Sequence, residues 1–143
     1  MQNKNNQYEG LKIKNVLSIV AAVTGALCFL FLLTGGINYT QGYYPSTFNM
    51  GQMIFGTAWA GINPGLLSAF IIMCLAIVCA IGMNFKDIFG YLSIVLFITS
   101  AVLWFCTVAL YNNWSASLST AGWCLGVFNI VDAVLVFVGV SYR

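Results

Sequence analysis

Asp132 is the residue of this chain whose chemistry most needs an explanation. It lies near the middle of an apolar run, Trp123–Val140, where an acidic side chain costs about 2.5–3.5 kcal/mol even on the lenient insertion scale. The other acids, Glu9 and Asp87, fall in polar segments, and no Lys or Arg lies within any apolar run. The carboxyl group therefore has no ion-pair partner at its own depth, and water-free surroundings favour its neutral form. Two kinds of chemistry fit such a group. One is a hydrogen-bonded layer that glues helices together, worth about 0.6 kcal/mol per bond. The other is a protonatable or cation site in a transport path.

Depth matching names the neighbours of that site. The midpoint of the first apolar run falls at Thr24-Gly25, that of the second at Cys74 and that of the third at Thr99-Ser100. Asn129 is one turn from Asp132 on its own run. The expected intramembrane polar site is therefore Asp132, Asn129 and Thr24, with Thr99 or Ser100 from the third run.

Little else in the chain can do chemistry. There is no histidine, which removes the commonest general base and the commonest metal ligand. No HExxH, GxSxG or phosphate-binding glycine loop occurs. Cys28, Cys74, Cys79, Cys106 and Cys124 all lie within apolar runs and none forms a CxxC, so neither a disulfide framework nor a thiol oxidoreductase is expected. No enzyme, cofactor or metal site is expected. A net charge of +2 is too small for a nucleic-acid partner.

The elements that hold Asp132 follow from composition. Of the 143 residues, 61% are hydrophobic and 6% charged, against about 25% charged in a soluble domain. Four apolar runs, Val16–Leu33, Leu66–Met83, Ile88–Tyr111 and Trp123–Val140, are each about 18–24 residues long, enough to cross a hydrocarbon core of about 30 Å. Backbone groups find no water in lipid, so each run is predicted helical. The expected fold is an all-α, four-transmembrane-helix bundle forming one domain over residues 1–143. The run Val16–Leu33 is longer than a usual signal-peptide core and no A-x-A-like site follows it, so it is read as a retained span.

Charge sets the direction. Lys4, Lys12 and Lys14 precede the first run, Lys86 sits in the turn between the second and third, and Arg143 ends the chain. The opposite connections, Thr34–Gly65 and Asn112–Gly122, hold no Lys or Arg. The positive-inside rule then places both termini in the cytoplasm, in the plasma membrane. The turn Asn84–Asp87 is short enough to make the second and third spans an antiparallel hairpin. Met1–Gln7, rich in Asn and Gln, is expected to be disordered.

The long outer loop, Thr34–Gly65, has no charged side chain but is rich in aromatic ones. Tyr43, Tyr44, Phe48, Phe55 and Trp59 are the expected contact residues, against headgroups, the bundle or a partner. The loop is read as a cap over the bundle, with irregular chain leading to a short interfacial helix at Met50–Ala60 whose Met53, Ile54 and Phe55 face lipid. Asn38-Tyr39-Thr40 and Asn113-Trp114-Ser115 match the glycosylation pattern, which is short enough to arise by chance.

Small residues mark the packing faces. Gly122 and Gly126 continue to Asn129 and Ala133 within a narrow arc of the fourth span, with Asp132 on its edge. Ser18, Ala21, Ala22, Gly25 and Ala26 form a similar face on the first span. Such faces let backbones approach closely, so spans one and four are expected to pack together.

The layout resembles the tetraspan plan: cytoplasmic termini, a long first outer loop, a tight inner turn and a short second outer loop. Claudins share that plan, though their paired loop cysteines are absent here. A closer similarity is to small, uncharacterised four-span membrane proteins of bacteria, carried by Phe48–Gly56 before the second span and by the Gly-rich start of the fourth. That resemblance implies a fold and no activity. Small four-helix multidrug transporters are similar in size but carry an acid in the first span, which has none here. The function expected is a non-enzymatic accessory or assembly role through contacts with itself or a partner, as a homo-oligomer or in a larger membrane-protein complex. The alternative is a small transporter or channel working through Asp132.

Overall fold

A computed structural model describes residues 2–41, 44–56, 61–110 and 117–142, with the side chains of 2–7, 36–41 and 44–48 excepted. Four helices dominate: α1 (Gln2–Phe31), α3 (Pro64–Gly82), α4 (Asp87–Phe105) and α6 (Thr120–Ser141). Each is long and apolar enough to cross a membrane. The α1 helix packs on α3 and α6, and α4 packs on the same two, so the fourth span closes the bundle against the first. Outward faces carry large apolar side chains, such as Val78, Val95 and Val134, all more than half exposed. The interior faces set alanine, serine and glycine among larger buried side chains such as Phe97 and Met73, so lipid meets apolar surface outside while the small residues allow close helix contact inside.

Helix ends follow local capping chemistry. Asn63 opens α3 with Pro64 behind it, its Oδ1 accepting from Gly65 N at 3.0 Å and Leu66 N at 3.1 Å. Ser119 caps α6 by accepting from Gly122 N. Those contacts satisfy amides that a first turn leaves free. The α3–α4 turn closes through Phe85 N to Gly82 O at 2.9 Å.

Three expectations are corrected. The segment before the first span is not disordered, because α1 begins at Gln2; a helix already nucleated in the span extends through it without a second nucleation step, although its asparagines are weak helix formers. The third span does not run unbroken to Tyr111: α4 ends at Phe105, Cys106 interrupts it, and one further turn, α5 (Thr107–Leu110), follows. The chain before the short helix is not irregular. Strands β1 (Gly35–Gln41) and β2 (Tyr44–Asn49) pair antiparallel, and β3 (Ser117–Leu118) from the second connection adds to the other edge of β1, giving the order β2-β1-β3. Ile37, Tyr39, Thr40, Thr47 and Phe48 supply the β-branched and aromatic residues that suit a pleated ribbon.

The short helix α2 (Met50–Phe55) is tied to the bundle through its backbone. Met50 N donates to Thr34 O at 3.1 Å and Gly51 N to Leu32 O at 2.8 Å. A capping box with Asn49 and Gln52 starts it. Its apolar side does not face lipid: Met50, Met53 and Ile54 are at most 2% exposed, and only Phe55 points outward. The reason is that α2 completes the core at its own end of the bundle. Toward the termini the four helices close on one another, with Ala21, Ala76, Ala80 and Ala133 packed beside Met83, Phe97, Val136 and Val140. Toward the sheet Met50, Met53 and Ile54 from α2 join Trp104, Leu66, Met73 and Leu125 in one buried cluster.

Candidate functional site

The polar site lies where those two apolar clusters meet. Asp132, on α6, is fully buried, and its Oδ1 accepts a hydrogen bond from the Thr24 hydroxyl of α1. Its Oδ2 has no hydrogen-bond partner. Asn129 is also fully buried: its Nδ2 donates to Leu125 O of its own helix at 2.7 Å and lies 3.7 Å from Met73 Sδ on α3, while its Oδ1 has no partner. Gly25 packs beside this group, an added Cβ there falling 3.4 Å from Asp132 Oδ2 and 2.7 Å from Ile77 Cγ1. Of the expected residues, Thr24 and Asp132 are thus joined directly, and Asn129 is buried one turn away on the same helix.

The third span contributes differently. Thr99 is exposed on α4 and donates to Val95 O of its own helix at 2.8 Å, so it is outside the layer. Ser100 is buried, but its hydroxyl donates to Ala69 O on α3 at 3.2 Å rather than to Asp132. Rotation explains both. Thr99 falls on the lipid side of α4, and Ser100 on the side that meets α3 instead of α6.

Ser100 has a companion that sequence reasoning missed. Ser93 donates to Ala76 O at 2.8 Å, so two serines seven residues apart stitch α4 to α3. The seven-residue spacing, two helical turns, was the available signal. Ser18 does the same between α1 and α3, donating to Ala80 O at 2.8 Å and accepting from Asn84 Nδ2 at 3.0 Å. The Lys14 ammonium pairs with Asp87 and joins α1 to the start of α4. Each bond is local in space and remote in sequence.

The packing glycines are partly reassigned. Spans one and four do pack together, and Leu17 of α1 lies against Gly139. Gly126, however, faces the Phe105 ring of α4, a Cβ there falling 2.8 Å from its Cδ1 and nearer to other ring atoms. Gly122 is buried at the start of α6, and Ala22 is half-buried on α1. Of the loop contacts, Phe55 is 54% exposed and sets its ring edge against Phe70 at 5.5 Å. Tyr43 and Trp59 lie outside the described residues, as do the side chains of Tyr44 and Phe48, Asn38–Thr40, and the whole of Asn113–Ser115.

A groove of about 380 Å³ opens where α1, β1 and α6 meet, lined by Phe31, Thr34, Gly35, Ser119, Thr120, Ala121 and Cys124. Asp132 is not among these, and the carboxyl has no exposed surface. Among the described residues no cluster of His, Cys, Asp or Glu is placed to hold a metal ion. All five cysteines are free thiols. What the arrangement does chemically is hydrogen-bond one helix to another within an apolar core. Compared with family models, curated proteins and solved structures, the chain matches none, and its four apolar helices are consistent with a tetraspan-like plan.

Proposed function

We propose that this protein is a non-enzymatic component of the cell membrane that works by contact, with itself or with a partner, in an accessory or assembly role. One observation carries the reading. The two connections at one end do not hang as separate loops: β3 of the second pairs with β1 of the first, and the Ser119 hydroxyl fastens to Gly35 O. With α2 buried beneath, the result is a stiff platform, and the connection from Thr34 to Gly65 that builds most of it has no charged residue. A connection without charge that exposes Phe55 beside the sheet suits recognition more than solvation. Lys14 and Lys86 lie at the opposite end, beside the α3–α4 turn, which supports placing that end and both termini in the cytoplasm.

Photo-crosslinking residues at Phe55 on the platform and at Val134 on the outer face of α6 test this in native membranes. A discrete adduct identified by mass spectrometry is expected from at least one position. Recovery of monomer alone from both would refute the contact role. A second reading, a small transporter or channel, is favoured by the unpartnered Asp132 Oδ2. Flux into proteoliposomes that Asp132→Asn abolishes would establish it; unchanged flux would remove the carboxyl as the coupling group.

A further inference from the structure

We propose that Asp132 and Asn129 hold one proton between them, with the Asp132 carboxyl O–H donating to Asn129 Oδ1. This does not depend on the contact role proposed above.

The argument is an accounting of donors. Asp132 Oδ2 and Asn129 Oδ1 are both buried acceptors without a partner, three residues apart on α6. Residues three apart are neighbours on a helix surface. Side chains lean toward the helix N-terminus, so the carboxyl of Asp132 lies over the turn that carries Asn129. Asn129 cannot supply the missing donor, because its amide hydrogens are directed at Leu125 O and Met73 Sδ. Nor can Thr24: its single hydroxyl hydrogen already has Val20 O at 2.8 Å and Ala21 O at 3.2 Å competing with Asp132 Oδ1.

A carboxylate offers only acceptors, whereas a protonated carboxyl adds one O–H donor. One proton on Oδ2 therefore satisfies both orphaned oxygens at once. It also removes a buried charge that no cation balances. The titratable groups on the surrounding helices are thiols at this depth: Cys28 on α1, Cys74 and Cys79 on α3 and Cys124 on α6, with Cys106 closing α4. Glu9, Lys12, Lys14, Asp87 and Tyr91 sit toward the terminal end, where Lys14 pairs with Asp87. A proton, unlike a metal ion, needs no cavity, and the close approach of Gly25 to Oδ2 leaves little room for one.

Infrared spectroscopy of the full chain in phosphatidylcholine vesicles at neutral pH tests the assignment. A carbonyl-stretch band of a protonated carboxylic acid is expected in the wild type. Asp132→Asn should abolish it. Asn129→Leu, which removes the acceptor, should shift it to higher frequency, while Thr99→Val should leave it in place. The absence of the band in the wild type overturns the proposal, and so does a band that Asn129→Leu does not move. Should Asn129→Leu fail to fold by circular dichroism, solid-state NMR of the wild-type chain with labelled Asp and Asn replaces it. A protonated Asp132 carboxyl whose proton contacts the Asn129 side-chain carbonyl is then expected. An ionised carboxyl, or a proton without that contact, overturns the proposal.

Discussion

Gly90, at the terminal end of α4, is where the bundle has least room to yield. A Cβ added there would sit 3.2 Å from Met83 Cβ and closer still to Val140 Cγ2 on α6. Carbon atoms prefer separations of about 3.5–4.0 Å, so α4 and α6 would have to part by on the order of 1 Å. Turning Val140 aside is not an easy escape, because a β-branched side chain in a helix has one strongly preferred rotamer. Met83 Cβ is fixed by its own backbone. Overpacking of this kind costs about 1–3 kcal/mol, and the rigid contacts at Gly90 put it at the upper end of that range; the better helix propensity of alanine returns about 1, so Gly90→Ala should destabilise by about 2 kcal/mol. Gly126→Ala provides the contrast. Its obstacle is the Phe105 ring, half-buried at the last residue of α4 and resting on Trp123 at 5.3 Å. That ring can swing outward. Gly61→Ala meets nothing within 4 Å and should be nearly neutral, within about 0.5 kcal/mol. Unfolding in mixed detergent micelles, followed by circular dichroism, ranks the three. If Gly90→Ala proves as stable as the wild type, or milder than Gly126→Ala, the reasoning from backbone proximity fails.

Three further outcomes follow from the same contacts. Ile54→Ala should cost about 2–5 kcal/mol, since Ile54 is fully buried beneath the sheet, while Phe55→Ala should cost far less; equal effects in the same unfolding assay would mean that α2 does not fill the bundle. Lys14→Gln should cost about 0.2–1 kcal/mol, because Asp87 is 41% exposed and water weakens the pair, and a double-mutant cycle with Asp87→Asn should shrink it further in high salt. Asp132→Asn should barely change stability because an amide keeps both a donor and an acceptor, whereas Asp132→Leu should cost about 1–3 kcal/mol, since Asn129 Oδ1 is left without a donor even though Thr24 can fall back on Val20 O. Finding Asp132→Asn the more damaging of the two would show an ionised, paired carboxylate.

Much of this protein was legible without coordinates. Lipid admits only backbone that satisfies itself, so four apolar runs of sufficient length had to be four helices. The cost of an acid at mid-membrane singled out Asp132; helical periodicity put Asn129 one turn from it on the same span, and matching span midpoints brought Thr24 to it, because depth in a bilayer is read directly from position along a span. What sequence could not supply was rotation about each helix axis. Thr99 and Ser100 are adjacent in the chain, yet one faces lipid and the other donates to α3. The same ignorance hid the close contact at Gly90 and turned Gly126 toward Phe105 instead of α1. The sheet was out of reach for a second reason: Ile37 pairs with Leu118 across most of the chain, and such pairing leaves little local trace in either segment. Likewise, only the packed bundle decided where Met53 and Ile54 go, because the cluster they join is assembled from Cys28, Leu66, Trp104 and Leu125 on four different helices and does not exist before those helices meet.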